Sequence, residues 1–164
     1  MLFRSDISIH GLTIMDERFH SRFSAREKHY CYCIRLSAEK DVFRRRYVWQ
    51  LGEVLDVHAM KKGTALLLGT HDFMSFCGNK HFKKSSVRTI RDISLTFSGG
   101  ELAIDYRGDG FLQNMIRIIT GTLVEIGEGK KRAEEISAIL EAKDRAEAGF
   151  TAPPQGLTLV EVVY

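Results

Sequence analysis

The fold is decided by residues 107–127, RGDGFLQNMIRIITGTLVEIG. At about 100° per residue, the mainly apolar positions of this stretch gather on one broad side, which predicts a helix facing the core. These positions are Phe111, Leu112, Met115, Ile116, Ile118, Ile119, Thr122, Leu123 and Ile126. We expect Asp109 to cap the first turn and Gly127 to end the helix in a left-handed conformation.

The far side of this predicted helix carries Arg117, the only charge between Asp109 and Glu125. An arginine on a helix usually meets water or a structural carboxylate. Here Gly121 lies one turn away on the same side, where it would let another backbone or a ligand approach closely. This neighbour favours a functional site for Arg117. The same side also holds Gln113, Asn114 and Thr120.

Composition points to one ordinary domain, because 164 residues at 44% hydrophobic can bury a single core. No run approaches the roughly 20 apolar residues of a membrane span, and no signal-peptide segment is visible. We therefore expect a cytoplasmic protein without membrane contact. Three cysteines, with Cys31 and Cys33 two positions apart, fit reduced thiols better than disulfides. No His/Cys set has zinc spacing, so we expect no metal.

Alternating apolar and polar residues predict the strands, and a helical period predicts two further helices. Together they predict an α+β domain, with a mainly antiparallel sheet covered by helices on one face. The predicted strands are 7–9, 29–36, 47–51, 87–97, 101–106 and 157–164, with a Gly99-Gly100 turn. The predicted helices are 132–142 and 57–68, the latter capped by Asp56, with apolar Met60, Ala65, Leu66 and Leu68. Residues 69–76 are predicted as a hydrogen-bonded turn.

Basic residues cluster at 44–46, 80–84 and 130–132, although the net charge is only +3. Such runs can sit against phosphates, but they are more often just solvated faces. In the loop at 19–23, two aromatic rings bracket a histidine and an arginine, a combination suited to stacking on bases and pairing with phosphate. Lys80, Lys83 and Lys84 surround Phe82 in a second loop of similar chemistry.

The 107–127 stretch resembles the F-x-x-x-M-V-R-x-I-x-G-x-L-x-x-V-G helix of the bacterial tRNA pseudouridine synthase A (TruA) family. Residues 19–25 resemble the family's F-H-A-R-F-S-A segment, with Ser21 in place of Ala. Residues 69–76, 142–145 and 152–159 resemble its G-x-H-D-F-x-S-F, A-K-D-R and A-P-x-x-G-L-x-L segments. The resemblance extends over residues 6–164, which we expect to form one domain, whereas residues 1–5 match nothing and look like a truncated or engineered start.

The resemblance implies an isomerase that converts uridine to pseudouridine on the 3′ side of the tRNA anticodon stem-loop, at uridines 38, 39 and 40. It implies no cofactor, tRNA as the partner, and a homodimer for the full-length enzyme. Arg117 would orient a catalytic aspartate, and we expect it on a concave surface near Tyr30. Tyr30 and Leu157 would bind the substrate base, leaving Tyr32 in the core. The implied RNA contacts are Phe19, His20, Arg22, Phe23, Lys80, Lys83 and Lys84.

The family's nucleophilic aspartate lies in an R-T-D-x-G-V-H-A loop of an N-terminal domain. Residues 56–59, Asp-Val-His-Ala, echo this loop, but they begin a predicted helix and lack the preceding Arg-Thr and the Gly. We therefore expect this chain to be the C-terminal half of the enzyme, inactive alone because the N-terminal domain with the aspartate is missing. The alternative is a stand-alone RNA-binding module that never performs catalysis. An in-frame R-T-D motif upstream of Met1 would favour the enzyme.

Overall fold

The computed structural model describes residues 6–79 and 81–164. Within them, six strands form one sheet: β1 Glu27–Arg35, β2 Trp49–Gln50, β3 Gly69–Asp72, β4 Val87–Ser98, β5 Glu101–Gly108 and β6 Leu157–Val163. The helices of the same residues are α1 Val57–Ala65, α2 Met115–Gly127 and α3 Glu135–Ala142, with short 3-10 helices at Met74–Phe76 and Pro154–Gly156. The α+β class predicted from the sequence is confirmed.

The sheet runs in the order β2-β1-β5-β4-β3, and β6 pairs with β1 beside β2. Only the two-residue pairing of β1 with β2 is parallel among these described strand pairs. In this register Tyr30 of β1 lies opposite Tyr106 of β5 and Leu159 of β6. The mainly antiparallel sheet expected from the alternation is confirmed, and β1 connects β5 to the edge strands β2 and β6. The strand predicted at residues 7–9, which the structure describes, is absent.

The hairpin of β4 and β5 turns at Gly99 and Gly100, whose φ angles are +58° and +79°. These left-handed angles favour glycine, so the turn predicted from the sequence is confirmed. Asp109, at the end of the hairpin, does not cap α2. Its Oδ1 instead accepts a hydrogen bond from the backbone N of Thr89 at 3.0 Å, joining the chain beyond β5 to β4.

The core lies between the apolar sheet face and the helices. Tyr32 is fully buried, as predicted, and its hydroxyl donates to the carbonyl of Pro153 at 2.6 Å. The Tyr106 hydroxyl and Thr120 Oγ1 lie 2.9 Å apart, also in the interior. Thr120 and Gly121 are therefore buried, not on a polar outer side of α2 as expected. The helix is enclosed on nearly every side, and Arg117 is one of its few residues that is not fully buried.

Gly121 allows the backbone of residues 149–152 to cross α2. A Cβ at this position would lie 1.9 Å from the carbonyl oxygen of Phe150. The crossing is fastened on both sides, because Gly149 N donates to Thr122 Oγ1 at 2.9 Å and Ala152 N donates to the Arg117 carbonyl at 3.0 Å. Of the two partners expected for Gly121, a backbone or a ligand, the structure has the backbone.

The predicted start of α2 was wrong, whereas its end at Gly127 is correct in position but not in conformation. The helix begins at Met115, because Asn114 before it is left-handed with a φ of +58°. Gly127 is still helical, and Gly129 is the residue that adopts a left-handed φ of +73°. A Cβ at Gly127 would lie 3.0 Å from Met60 Sδ, so this glycine lets α1 pack against α2.

Helix α1 starts as predicted, since Asp56 Oδ1 accepts the backbone N–H of Ala59 at 2.9 Å. It ends at Ala65, however, and Ala65, Leu66 and Leu68 are exposed whereas Leu67 is buried. The helical period therefore assigned these residues to the wrong faces. Two further expectations were wrong: β2 has two residues instead of five, and residues 69–72 form an edge strand on β4 instead of a turn.

Candidate functional site

A cleft of about 140 Å³ opens between the start of α2 and strands β1 and β6. It brings together three residues that the sequence singled out, namely Tyr30, Arg117 and Leu157, from three separate elements. The other lining residues are Phe111, Leu112, Asn114, Met115 and Ile116. Most of the lining side chains are therefore apolar, and the polar side-chain groups are the Arg117 guanidinium, the Asn114 carboxamide and the Tyr30 hydroxyl.

Tyr30 and Phe111 form an aromatic corner of the cleft. Their rings meet edge to face, with 5.4 Å between the centroids and 88° between the planes. Burial raises the pKa of the Tyr30 phenol, so the ring stays neutral at physiological pH. Phe111 was expected on the core side of a helix, but it precedes α2 and is only partly buried. A neutral, half-buried aromatic surface suits a planar, uncharged ligand.

Arg117 is held by two neutral acceptors. Its Nε donates to the carbonyl of Ala152 at 2.6 Å, and its Nη1 donates to Asn114 Oδ1 at 3.2 Å. Among residues 6–79 and 81–164, none of the ion pairs within 4.0 Å involves Arg117. The guanidinium is thus oriented without being neutralised, and its remaining N–H groups can receive a carboxylate or a phosphate.

One of these two contacts could not have been predicted from the sequence. The Ala152 carbonyl is distant in sequence, and no side-chain pattern marks it. The contact with Asn114 did have a signal in the sequence, because Asn114 lies three residues before Arg117. At the start of a helix, however, an asparagine side chain usually bonds to the helix backbone instead. It makes no such capping bond here.

The loop at residues 19–23 stands on the surface just before β1. Phe19 contacts the ring of Tyr164 at 4.9 Å, and the His20 and Phe23 rings lie 4.4 Å apart. His20 Nδ1 accepts the backbone N–H of Arg22 at 3.1 Å, and the Arg22 guanidinium lies 5.8 Å from the Phe23 ring centre. Phe23 is 74% exposed. The loop therefore presents aromatic and basic groups together to solvent.

The second loop leads away from the cleft itself, because Gly78 N donates to the carbonyl of Gln113 at 2.8 Å. Further along it, Lys83 and Lys84 are exposed while Phe82 packs against the core. Lys80, also expected to contact RNA, lies outside the described residues. The loop thus carries positive charge on the surface.

Cys31 and Cys33 lie on the face of β1 opposite to that of Tyr30, and their Sγ atoms are 3.7 Å apart. The hydrogen bond from Cys31 lowers the pKa of the Cys33 thiol to about 7, and the same contact raises the pKa of Cys31.

Within the described residues, no three His, Cys, Asp or Glu side chains are grouped to hold a metal ion. None of the helices in the described part of the chain is long and apolar enough to cross a membrane.

Comparison with known proteins supplies the context for this cleft. A family model described as tRNA pseudouridine synthase matches residues 64–164. The tRNA pseudouridine synthase A of Halalkalibacterium halodurans is 49% identical over 153 residues, covering 93% of this chain and 58% of that protein. The proteins of the same name from Brevibacillus brevis and Bacillus subtilis are 47% and 43% identical, covering 96% and 99% of this chain.

The matched regions make up 65% and 66% of the lengths of those two proteins, so the chain spans roughly three fifths to two thirds of these relatives. The family match includes α2, the residues that cross it and the last strand. On this evidence the chain belongs to the tRNA pseudouridine synthase family.

Proposed function

We propose that residues 6–164 form one domain, the C-terminal, base-binding half of a cytoplasmic enzyme that isomerises uridine to pseudouridine in tRNA. The proposed substrates are uridines 38, 39 and 40 of the anticodon stem-loop, and the proposed full-length enzyme is a homodimer. Family membership, the cleft and the basic loops support this proposal. The substrate positions and the homodimer rest on the resemblance of the motifs alone.

The reaction breaks the glycosidic C–N bond of uridine, turns the uracil over and forms a C–C bond to the same sugar. It exchanges one bond for another without net oxidation, so it requires no redox cofactor. It does require a carboxylate nucleophile, and no carboxylate lines the cleft among the described residues. We propose that an aspartate from outside this sequence enters the cleft and pairs with the remaining N–H groups of Arg117.

The detached uracil needs a surface on which it can turn without escaping to water. Tyr30 and Phe111 offer adjacent aromatic rings, and Leu157 lines the same cleft. Base-to-aromatic contacts of this kind contribute about 1–3 kcal/mol each and tolerate different orientations of the base. We propose that these three side chains hold the base while its glycosidic bond is broken.

The surface loops are proposed to hold the rest of the tRNA. Phe19 and Phe23 would stack on unpaired bases, and His20 and Arg22 beside them would meet phosphates. Lys80, Lys83 and Lys84 would extend these phosphate contacts on the second loop. The exposure of Arg22, Phe23, Lys83 and Lys84 supports this division.

The observation that carries the proposal is the oriented but unneutralised guanidinium of Arg117 beside Tyr30. We expect Arg117→Ala in the full-length enzyme to lower turnover on tRNA by about 100-fold or more, if the charge stabilises the transition state by about 3 kcal/mol. In this chain the same change removes the donor to the Ala152 carbonyl, so it should destabilise the fold by about 1–3 kcal/mol. Turnover must therefore be measured well below the melting temperature.

The matched control is Arg132→Ala, which removes an arginine whose side chain is 83% exposed at the start of α3. It should leave both turnover and stability close to wild type. Equal turnover of the Arg117 and Arg132 variants would remove the basis of the proposal. Pseudouridine made by this chain alone, and lost on mutating one of its own aspartates, would place the active site elsewhere.

A further inference from the structure

Asn114 precedes α2 in an unusual backbone conformation, and its side chain does not cap the helix. We propose that Asn114 is a positioning residue, which holds the guanidinium of Arg117 in the orientation needed to receive a carboxylate. This inference rests on the proposed function, because it assigns Arg117 the carboxylate as its partner. The evidence comes from the backbone of Asn114, from its contact with Arg117 and from the loop that packs on it.

The backbone of Asn114 is left-handed, with φ +58° and ψ +6°. Besides glycines, only Lys143 shares a positive φ among residues 6–79 and 81–164. The Asn114 carbonyl accepts the first helical hydrogen bond of α2, from Ile118 N at 2.9 Å. The Asn114 side chain, however, bonds to no backbone N–H of the helix. An asparagine at this position normally caps the helix, so its carboxamide is free for another use here.

The carboxamide is used on Arg117. Asn114 Oδ1 accepts from Nη1 at 3.2 Å, while the Ala152 carbonyl accepts from Nε at 2.6 Å. A guanidinium only donates hydrogen bonds, so the carboxamide oxygen is the atom that must face it. Two acceptors on two different segments therefore fix the plane of the guanidinium, and neither of them carries a charge that would compete with a carboxylate.

The loop after the first 3-10 helix packs closely beside Asn114. A Cβ at Gly78 would lie 2.8 Å from Asn114 Nδ2 and 3.1 Å from Asn114 Cβ, so a side chain at this position would push the carboxamide aside. The Gly78 backbone N–H is bonded to the neighbouring Gln113 carbonyl at 2.8 Å, which fixes the loop next to Asn114. The absence of a side chain at Gly78 therefore leaves room for the carboxamide that bonds to Arg117.

Two substitutions in the full-length enzyme separate positioning from a role in the turn. Asn114→Gly removes the carboxamide and its hydrogen bond to Arg117, but glycine adopts the left-handed backbone without strain, so the melting temperature should stay within about 5 °C of wild type. Its single-turnover rate should nevertheless fall by about 10- to 100-fold, because the guanidinium loses one of its two supports. The dissociation constant for tRNA should stay within about twofold of wild type, since the phosphate contacts are untouched.

Asn114→Asp keeps the size of the side chain and also tolerates the left-handed backbone. It places a carboxylate against Arg117, which would then compete with the catalytic aspartate for the guanidinium. We expect this variant to lose more activity than Asn114→Gly, although its shape is closer to asparagine. A role confined to the turn predicts no loss in either variant, because both residues are acceptable there and both variants should react at the wild-type rate.

Wild-type rates for both variants would overturn the positioning role, and so would a melting temperature of Asn114→Gly lower by more than about 5 °C, which would assign the side chain to folding. Arg117→Ala, measured beside them, separates this outcome from a failure of the proposed function. If Arg117→Ala is inactive while the Asn114 variants are fully active, only the positioning role fails. If Arg117→Ala is active, the proposed function itself fails.

Discussion

The cleft around Arg117 and the loop at residues 19–23 both carry proposed contacts to tRNA, but they are held in different ways. Arg117 is bonded to Ala152, which is 35 residues away in the chain. The loop is held mainly by its own residues, through the bonds of His20 to Ser24, Arg22 and Phe23. Substitutions near the cleft should therefore affect the fold and the reaction, whereas substitutions in the loop should affect only affinity for RNA.

The largest expected effect is on stability, at the crossing that brings Ala152 to Arg117. Gly121→Ala would put a Cβ 1.9 Å from the Phe150 carbonyl oxygen, with backbone on both sides. We expect a loss of about 3 kcal/mol in the free energy of unfolding, because neither segment can move aside without repacking. Urea unfolding of this chain measures it.

The control for this substitution is Gly11→Ala, where nothing lies within 4 Å of the added Cβ and the backbone is not left-handed. Its stability should remain within about 0.5 kcal/mol of wild type. Equal unfolding midpoints for the two variants would mean that the crossing of α2 yields easily, and that the cleft is held no more firmly than the loop.

The next effect concerns the aromatic corner. Tyr30→Ala in the full-length enzyme should lower turnover by about 10- to 100-fold, because a base-stacking contact contributes about 1–3 kcal/mol. Tyr47→Ala is the control, since Tyr47 is 67% exposed and lies outside the cleft. Steady-state kinetics on an anticodon stem-loop measures both. A Tyr30 variant that behaves like the Tyr47 variant would exclude Tyr30 from the site.

The smallest effects belong to the loops. Arg22→Ala and Lys83→Ala should each weaken tRNA binding and reduce the slope of log affinity against log salt by about 0.7–0.9, the value for one phosphate contact. Neither should change the unfolding midpoint, because both side chains are exposed. Lys61→Ala, an exposed lysine on α1, is the control. An unchanged salt slope in both loop variants would assign these residues to an ordinary solvated surface.

The difference between cleft and loop also marks what could be predicted from the sequence. Local patterns identified the β4–β5 hairpin, the Asp56 cap and the last strand, because turn residues and alternation act between near neighbours. The start of α2 was misjudged because Phe111 continues the helical period although the chain is not yet helical there. The left-handed backbone of Asn114 interrupts the helix without interrupting the pattern.

The rest of the cleft depends on contacts between distant segments. The approach of Phe150 to Gly121 and the bond from Arg117 to Ala152 follow from how the chain crosses α2, which no local pattern specifies. The sequence left open whether Gly121 admits a backbone or a ligand, and only the folded chain decides between them. Tyr30 and Leu157 were proposed as site residues from the resemblance of motifs, whereas Arg117 was also singled out as the lone charge on the far side of the predicted helix, one turn from Gly121.

The central claim is that Arg117 receives a carboxylate from outside this sequence. An experimental structure of the full-length enzyme tests it most directly, through the distance from the Arg117 guanidinium to the nearest carboxylate. We expect an aspartate oxygen at about 2.7–2.9 Å from a guanidinium nitrogen, with Asn114 and Ala152 still bonded to the other edges. A guanidinium with no carboxylate within about 6 Å, or one paired with an acidic residue of this chain, would contradict the account.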